Sequence, residues 1–313
     1  MVVHDGFEAW KTIGRTSISL GNYDGVHLGH RVILEKTIEL ARNANIPGVA
    51  VTFDPVPKKI LQPQTAPPLI QTLQQRLAKL ESLGMEHTIV VRFSAEFAQK
   101  SPEEFVQQFL IDKLRVQYFV VGENFSFGHQ KQGDLSLLKR MGSVNDFQVV
   151  GIPEVYKNGI RISSSQIREF IQQGRMQEAA DYLGYPFALI GKIVEGEHLG
   201  GKIGIPTANL DFENEIVPAK GVYVCRASVE GQNYCAVTNV GVRPTFQGKK
   251  LTVEAHLLDF SGDLYGVRME LHFFHRLRDE MRFAGVEQLK AQIQKDIEQT
   301  KKFVVANLFA TQK

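Results

Sequence analysis

The apolar positions of this 313-residue chain fall into two successive textures. Between about residues 13 and 160, short apolar runs at 17–20, 47–53, 87–91, 118–122 and 148–152 alternate with helically spaced stretches at 31–44, 72–83, 102–114 and 134–141. Strand and helix in alternation predict an α/β domain built on a parallel sheet with both faces covered. Two more helices, at 163–173 and 176–183, are expected to close it. After Gly184-Tyr185-Pro186 the texture changes to apolar runs at 188–195, 207–212, 221–230, 233–242, 250–260 and 267–276, with turn residues between them. Short strands in succession predict a small antiparallel β-barrel. The tail at 285–309 repeats Val286, Leu289, Ile293, Ile297, Phe303 and Leu308 at helical spacing and is expected to pack across the barrel. The expected domains are therefore 1–184 and 185–313.

Composition narrows the function classes. With 43% hydrophobic and 22% charged residues, the chain reads as an ordinary globular protein. A net charge of +2 gives no general footprint for nucleic acid or a membrane surface, so any anion site is local. No apolar run approaches the roughly 20 residues of a membrane span, and the N-terminus lacks a basic stretch followed by an apolar core. Only Cys225 and Cys235 are present, which favours free thiols and a cytoplasmic compartment. Their hairpin, turning near residues 231–233, leaves facing thiols as the other arrangement.

The first candidate site is the run GNYDGVHLGH at 21–30. A strand precedes it and a helix follows, so Gly21, Gly25 and Gly29 lie in a tight turn at a helix N-terminus. Free N–H groups and the positive end of the helix dipole make such a turn an anion site. His27 and His30, three residues apart, share a helix face and can address one phosphate chain. Further segments end strands of the same domain: Phe53 in VTFDPVP, and Asn124, Phe125 and Phe127 in VVGENFSFG. In ISSSQIR, at 162–168, serines precede a helix with Arg168 one turn inside.

These segments, in order and spacing, resemble the bacterial bifunctional riboflavin kinase/FAD synthetase family, whose N-terminal module has a Rossmann-like nucleotidylyltransferase fold. The resemblance implies that Gly21, Asn22, Asp24, Gly25, His27, His30, Ser164 and Arg168 bind ATP. It places Phe53, Asn124 and Phe127 near flavin or adenine. FMN's phosphate is already an anion near neutral pH, so adenylyl transfer needs alignment and charge neutralisation rather than a base.

The second domain carries its own set. In GIPTANL, Thr207 and Asn209 project to one side of an extended chain and offer oxygen ligands suited to Mg²⁺. Upstream, GKIVEGEHLGGKIG at 191–204 is glycine-rich and able to fold over phosphates. In LTVEAHLLDF, alternation puts Val253, Ala255 and Leu257 on one face, with Glu254 and His256 on the other. With NVGVRPTF at 239–246 and LRDEMRF at 277–283, these runs resemble the riboflavin kinase module. The resemblance makes Glu254 the base for the riboflavin 5′-hydroxyl, Thr207 and Asn209 magnesium ligands, and Arg278 a flavin or phosphate contact.

The activity so implied is phosphorylation of riboflavin to FMN and adenylylation of FMN to FAD, with ATP and Mg²⁺, in a monomer or weak homo-oligomer. Val56 stands where the family usually has histidine, and Ser126 and Gly201 where it has arginine. Two alternatives stay open at the level of sequence: an enzyme active only as the adenylyltransferase, and a flavin-binding regulator without turnover.

Overall fold

In the computed structural model, residues 1–11, 14–196, 199–202, 204–245 and 248–308 are described. Glu197, His198, Ile203 and Phe246 of the motifs above lie outside them. The chain forms two compact units, Met1–Ser164 and Ser165–Lys313.

The first unit holds a six-stranded sheet of β1 (Val2–Asp5), β2 (Thr16–Leu20), β3 (Gly48–Phe53), β4 (His87–Val91), β5 (Val116–Gly122) and β6 (Gln148–Ile152), in the order β1-β4-β3-β2-β5-β6. Every pairing is parallel. β2 and β3 are buried at every position, as strands covered on both faces must be. The helices are α1 (Leu28–Ala44), α2 (Pro57–Leu61), α3 (Leu73–Ser82), α4 (Pro102–Phe105) and α5 (Leu135–Val144). After α4 the chain continues as a π-helical stretch over Val106–Lys113. Local chemistry sets the helix starts: Thr72 and Gln75 form a capping box on α3, and Asp134 accepts from the N–H of Leu137 on α5. A two-stranded hairpin, β7 (Tyr156–Lys157) with β8 (Ile160–Arg161), follows the sheet.

Each strand expected in this part is present. β1, which sequence reading omits, adds an edge strand against β4. Four residues without a clear alternation carry too little pattern to be read.

The second unit begins at Ser165, within α6 (Ser164–Gln172), and continues with α7 (Met176–Leu183). The two helices expected to close the first domain thus lie, from Ser165 on, with the barrel: α7 packs on its last strand, and the N–H of Ala219 bonds to the carbonyl of Ile171. The barrel is closed, with strands β9 (Ala188–Val194), β10 (Ala208–Phe212), β11 (Gly221–Val229), β12 (Gln232–Thr245), β13 (Gly248–Leu257) and β14 (Arg268–Arg278) in the order β10-β13-β12-β11-β14-β9. A one-turn helix, α8 (Leu199–Lys202), lies between β9 and β10.

On β13, Val253, Ala255 and Leu257 are buried while Glu254 and His256 are half-exposed, as the alternation predicts. α9 (Val286–Leu308) covers part of the outer wall. There Ile293 and Ile297 pack with Val222, Val237, Cys235 and Leu258. Cys225 pairs with Ala236, and Cys235 with Arg226, so the one-residue offset turns the two thiols to opposite faces. Both are free, and burial pushes the Cys225 thiol well above its ordinary value.

Candidate functional site

Each unit presents one cluster of chemistry. In the first, the strand order reverses direction between β2 and β5, because the chain runs β2, β3, β4 to one side and β5, β6 to the other. Ligands of open α/β sheets bind at the carboxyl ends of strands at such a switch point. GNYDGVHLGH leaves β2 there, and Asn124 follows β5.

α1 starts at Leu28, three residues before the expected position, which puts His30 inside its first turn. His27 is the N-cap, its Nδ1 accepting the backbone N–H of His30 at 3.3 Å. An accepting Nδ1 carries no proton, so the neutral imidazole of His27 holds its proton on Nε2. The two imidazoles stack with centroids 3.6 Å apart and planes 15° from parallel. Tyr23 meets His30 edge-on at 5.4 Å. Burial, and then the neighbouring His27, hold His30 well below the ordinary 6.5, so it is neutral at physiological pH. Its Nδ1 is buried with no hydrogen-bond partner among the described residues.

The turn itself is tightly wound. Gly25 has φ 87°, and Tyr23 and Val26 also have positive φ, at 49° and 34°. Asp24 points inward: its Oδ1 accepts the N–H groups of Ile70 and Gln71 at 2.9 and 3.3 Å. Asp24 thus anchors the turn through its carboxylate. Its carbonyl accepts the hydroxyl of Ser164 at 2.9 Å, which joins the ISSSQIR segment to the histidine turn. Asn22 keeps its side chain exposed, while its carbonyl accepts from Arg76 Nη1 at 2.7 Å and Thr52 Oγ1 at 3.1 Å. A Cβ on Gly21 would come 3.0 Å from the Tyr23 ring, so a larger residue there would press on the ring beside His30. Arg168 lies within α6, in the second unit.

The aromatic residues assigned to the flavin are buried. Phe53 sits edge-on to Phe93 at 5.5 Å, and Phe127 stacks on Phe125 at 5.6 Å within the same core cluster. Asn124 is exposed and its Nδ2 donates to Glu154 at 3.0 Å. Val56 is buried and precedes α2 as its N-cap.

In the barrel, register does what sequence spacing cannot. Asn209 pairs with Glu254, Glu254 with Asn239, Asn239 with Val222, and Val222 with Arg278, so one rung crosses five strands. Four of these residues, Glu254, Asn239, Val222 and Arg278, line a cleft of about 610 Å³ on the outer wall that Thr207, Thr252, His256 and Glu280 also line and that the apolar Val286, Leu289 and Ile293 of α9 wall. Thr252 Oγ1 donates to Glu254 at 3.5 Å, and His256 Nδ1 bonds the carbonyl of Pro206 at 2.7 Å. The glycine-rich run closes on the two proposed metal ligands: a Cβ on Gly196 would overlap the Asn209 amide, and one on Gly200 would touch Thr207 Oγ1 at 3.2 Å.

Arg278 is tied more closely than expected. Its Nε and Nη2 reach both carboxylate oxygens of Asp296, at 2.7 to 3.2 Å, and Nη1 donates to the carbonyl of Asp279 at 2.9 Å. Asp296 is almost wholly buried, 1% exposed, and also accepts from Gln292. Arg278 therefore clamps α9 to the barrel beside the cleft. Sequence reading misses Asn239, Asp296, Glu280 and Arg76. Asn239 is signalled only as a polar residue between Val237 and Gly241, and Asp296 as a carboxylate beside the apolar stripe of α9.

Comparison with known proteins extends this geometry. Residues 11–166 match the FAD synthetase family and residues 183–304 the riboflavin kinase family. The bifunctional riboflavin kinase/FMN adenylyltransferase of Escherichia coli K12 is 36% identical over 280 residues, covering 89% of this chain and 90% of that protein. The Pseudomonas fluorescens protein of the same name is 37% identical over the same shares. A crystal structure described as a macrolide-efflux protein from Streptococcus pneumoniae superposes with a TM-score of 0.88 at 32% identity, covering 96% of this chain and 98% of that one. Among the described residues, no helix is long and apolar enough to cross a membrane. The paired matches along one chain, over a parallel sheet followed by a closed barrel, show that this protein belongs to the bifunctional riboflavin kinase/FMN adenylyltransferase family.

Proposed function

We propose that the barrel phosphorylates riboflavin to FMN and that the α/β unit adenylylates FMN to FAD, each step consuming one ATP. The observation that carries the first step is the rung that sets Glu254 between Asn209 and Asn239 on the floor of a cleft. Glu254 takes the proton of the riboflavin 5′-hydroxyl as that oxygen bonds to the γ-phosphorus of ATP. The γ-phosphorus to bridging-oxygen bond breaks, and ADP leaves. Asn239 stands where it can hold the hydroxyl-bearing chain against the base, and the apolar wall from α9 suits a flat flavin ring.

The hydroxyl of Thr207 and the amide oxygen of Asn209 are hard donors that would hold Mg²⁺ on the ATP phosphates, where the ion would neutralise charge. The donor set fits: both groups offer neutral oxygen, the ligand type magnesium takes, and magnesium beside phosphates is normally held by few protein ligands.

In the α/β unit an FMN phosphate oxygen attacks the α-phosphorus of ATP, and pyrophosphate departs. His27 Nε2–H and the neutral His30 ring sit at the positive end of α1, suited to donate to the phosphate chain as charge builds. Ser164 and Arg168 are assigned to the same phosphates, and Asn124, Phe53 and Phe127 to the flavin side, with the two buried rings acting through packing. The two free cysteines and the small net charge support a cytoplasmic monomer or weak homo-oligomer acting on small molecules.

One incubation with riboflavin, ATP and Mg²⁺, followed by chromatographic separation, tests the reading. Successive appearance of FMN and FAD is expected. FAD from supplied FMN without any FMN from riboflavin would overturn the kinase assignment.

A further inference from the structure

Arg76 is buried, its side chain 3% accessible. It belongs to α3, outside the motifs quoted above, yet its Nη1 donates to the carbonyl of Asn22 at 2.7 Å. Its Nη2 lies 3.5 Å from Asp54 Oδ1, beyond the end of β3. Asp24 adds a second negative charge nearby. Two residues along the turn, Asp24 takes the N–H groups of Ile70 and Gln71, just before the Thr72 cap of α3. The segment 70–76 therefore grips the histidine turn on both sides of Tyr23. Between the two grips Tyr23 is forced to φ 49°, its ring buried and edge-on to His30.

A non-glycine residue at positive φ is held by its surroundings rather than by its own preference. The strongest of those holds on the Asn22 side is charged: a guanidinium donating to a carbonyl in a buried setting, with Thr52 as the lesser second donor. We infer that Arg76 is a positioning residue for adenylyl transfer, setting the backbone at Asn22 and Tyr23 and, through the Tyr23 ring, the seat of His30 against His27. It touches neither substrate nor reacting atoms. The role rests on the adenylyltransferase reading of this unit.

Two variants and two readouts decide it. Arg76→Met keeps the buried stem and removes every donor; Arg76→Lys keeps a charge that reaches one acceptor but cannot bridge Asn22 and Asp54. Misplacing a phosphate-binding group by about 1 Å costs on the order of 10²-fold in rate, so kcat for FAD formation from FMN should fall on that scale in Arg76→Met. KM for FMN should change far less than kcat, and Arg76→Lys should recover part of the loss. Riboflavin phosphorylation by the same variant chain serves as the internal control and should stay at the parent rate.

The second readout needs no turnover. His30 is held below 6.5 by burial against Tyr23 and His27, so loosening the turn should raise its NMR titration midpoint toward 6.5. A parent-like midpoint with parent-like FAD formation would overturn the inference. So would loss of both activities together in both variants, which would make Arg76 a residue of general stability. Failure of the unsubstituted chain to form FAD would sink the adenylyltransferase reading instead, while the His30 midpoint would still judge the positioning of the turn.

Discussion

Asn209 and Glu254 are direct partners across the antiparallel pair β10 and β13, although they stand far apart in sequence. Opposed residues on neighbouring strands have Cβ atoms about 5 Å apart, so a group suited to the metal and a group suited to the proton share one spot. Glu254→Gln keeps the shape and removes the base. Its rate of FMN formation should fall roughly 10²- to 10⁴-fold, while FAD formation from supplied FMN persists. Parent-rate phosphorylation in this variant would refute the assignment.

The opposite separation is expected at the other site. Truncating His30 removes one member of the stacked pair and should slow FAD formation from FMN by about 10²- to 10³-fold. Riboflavin phosphorylation, measured on the same preparation, should be unaffected.

Asn209→Ala removes one of two oxygen ligands proposed for magnesium. A Mg²⁺ titration of the phosphorylation rate should then need about tenfold more metal for half-maximal activity. An unchanged half-point would release Asn209 from that role.

Acid should weaken the first unit through His30. Its pKa in the folded chain is depressed below the 6.5 of an unhindered imidazole. The unfolded chain therefore binds the proton first, and stability present above pH 6.5 declines as pH falls toward the folded value. Urea unfolding at pH 7.5 and pH 5.5 should show a smaller acid loss in His30→Gln than in the parent; equal losses would assign the effect to other groups, such as His87, whose pKa is also lowered by burial.

Removing Asp296 leaves Arg278 half-buried without its bidentate partner. Breaking such a pair costs about 3–5 kcal/mol, so Asp296→Ala should lower barrel stability on that scale and raise KM for riboflavin as α9 loosens. Circular dichroism during urea unfolding, with phosphorylation kinetics alongside, measures both.

The two textures of the chain, the alternating strands and helices followed by strands alone, were legible because burial on two faces or one leaves a period in the sequence. The same holds for Glu254 and His256, placed on the outer face by a period of two, and for His27 and His30, placed by a turn and a helix start. The two free cysteines were an equally local matter. Within the family motifs, though, sequence cannot tell which polar groups also bond within the fold: Asp24 accepts from Ile70 and Gln71, and Arg278, while lining the cleft, pairs with Asp296.

Residue spacing along a chain fixes only what lies within a few residues. On its own the sequence determined the fold class, the glycine-rich turn that carries His27 and His30, and the side of the strand that carries Glu254. Tertiary structure alone decided that Asn239 joins Asn209 and Glu254 on one rung, that α6 from Ser165 and α7 pack with the barrel, and that α3 grips the histidine turn through Arg76. Those are matters of strand register and long-range burial, and both are settled when distant segments pack, not by any local preference.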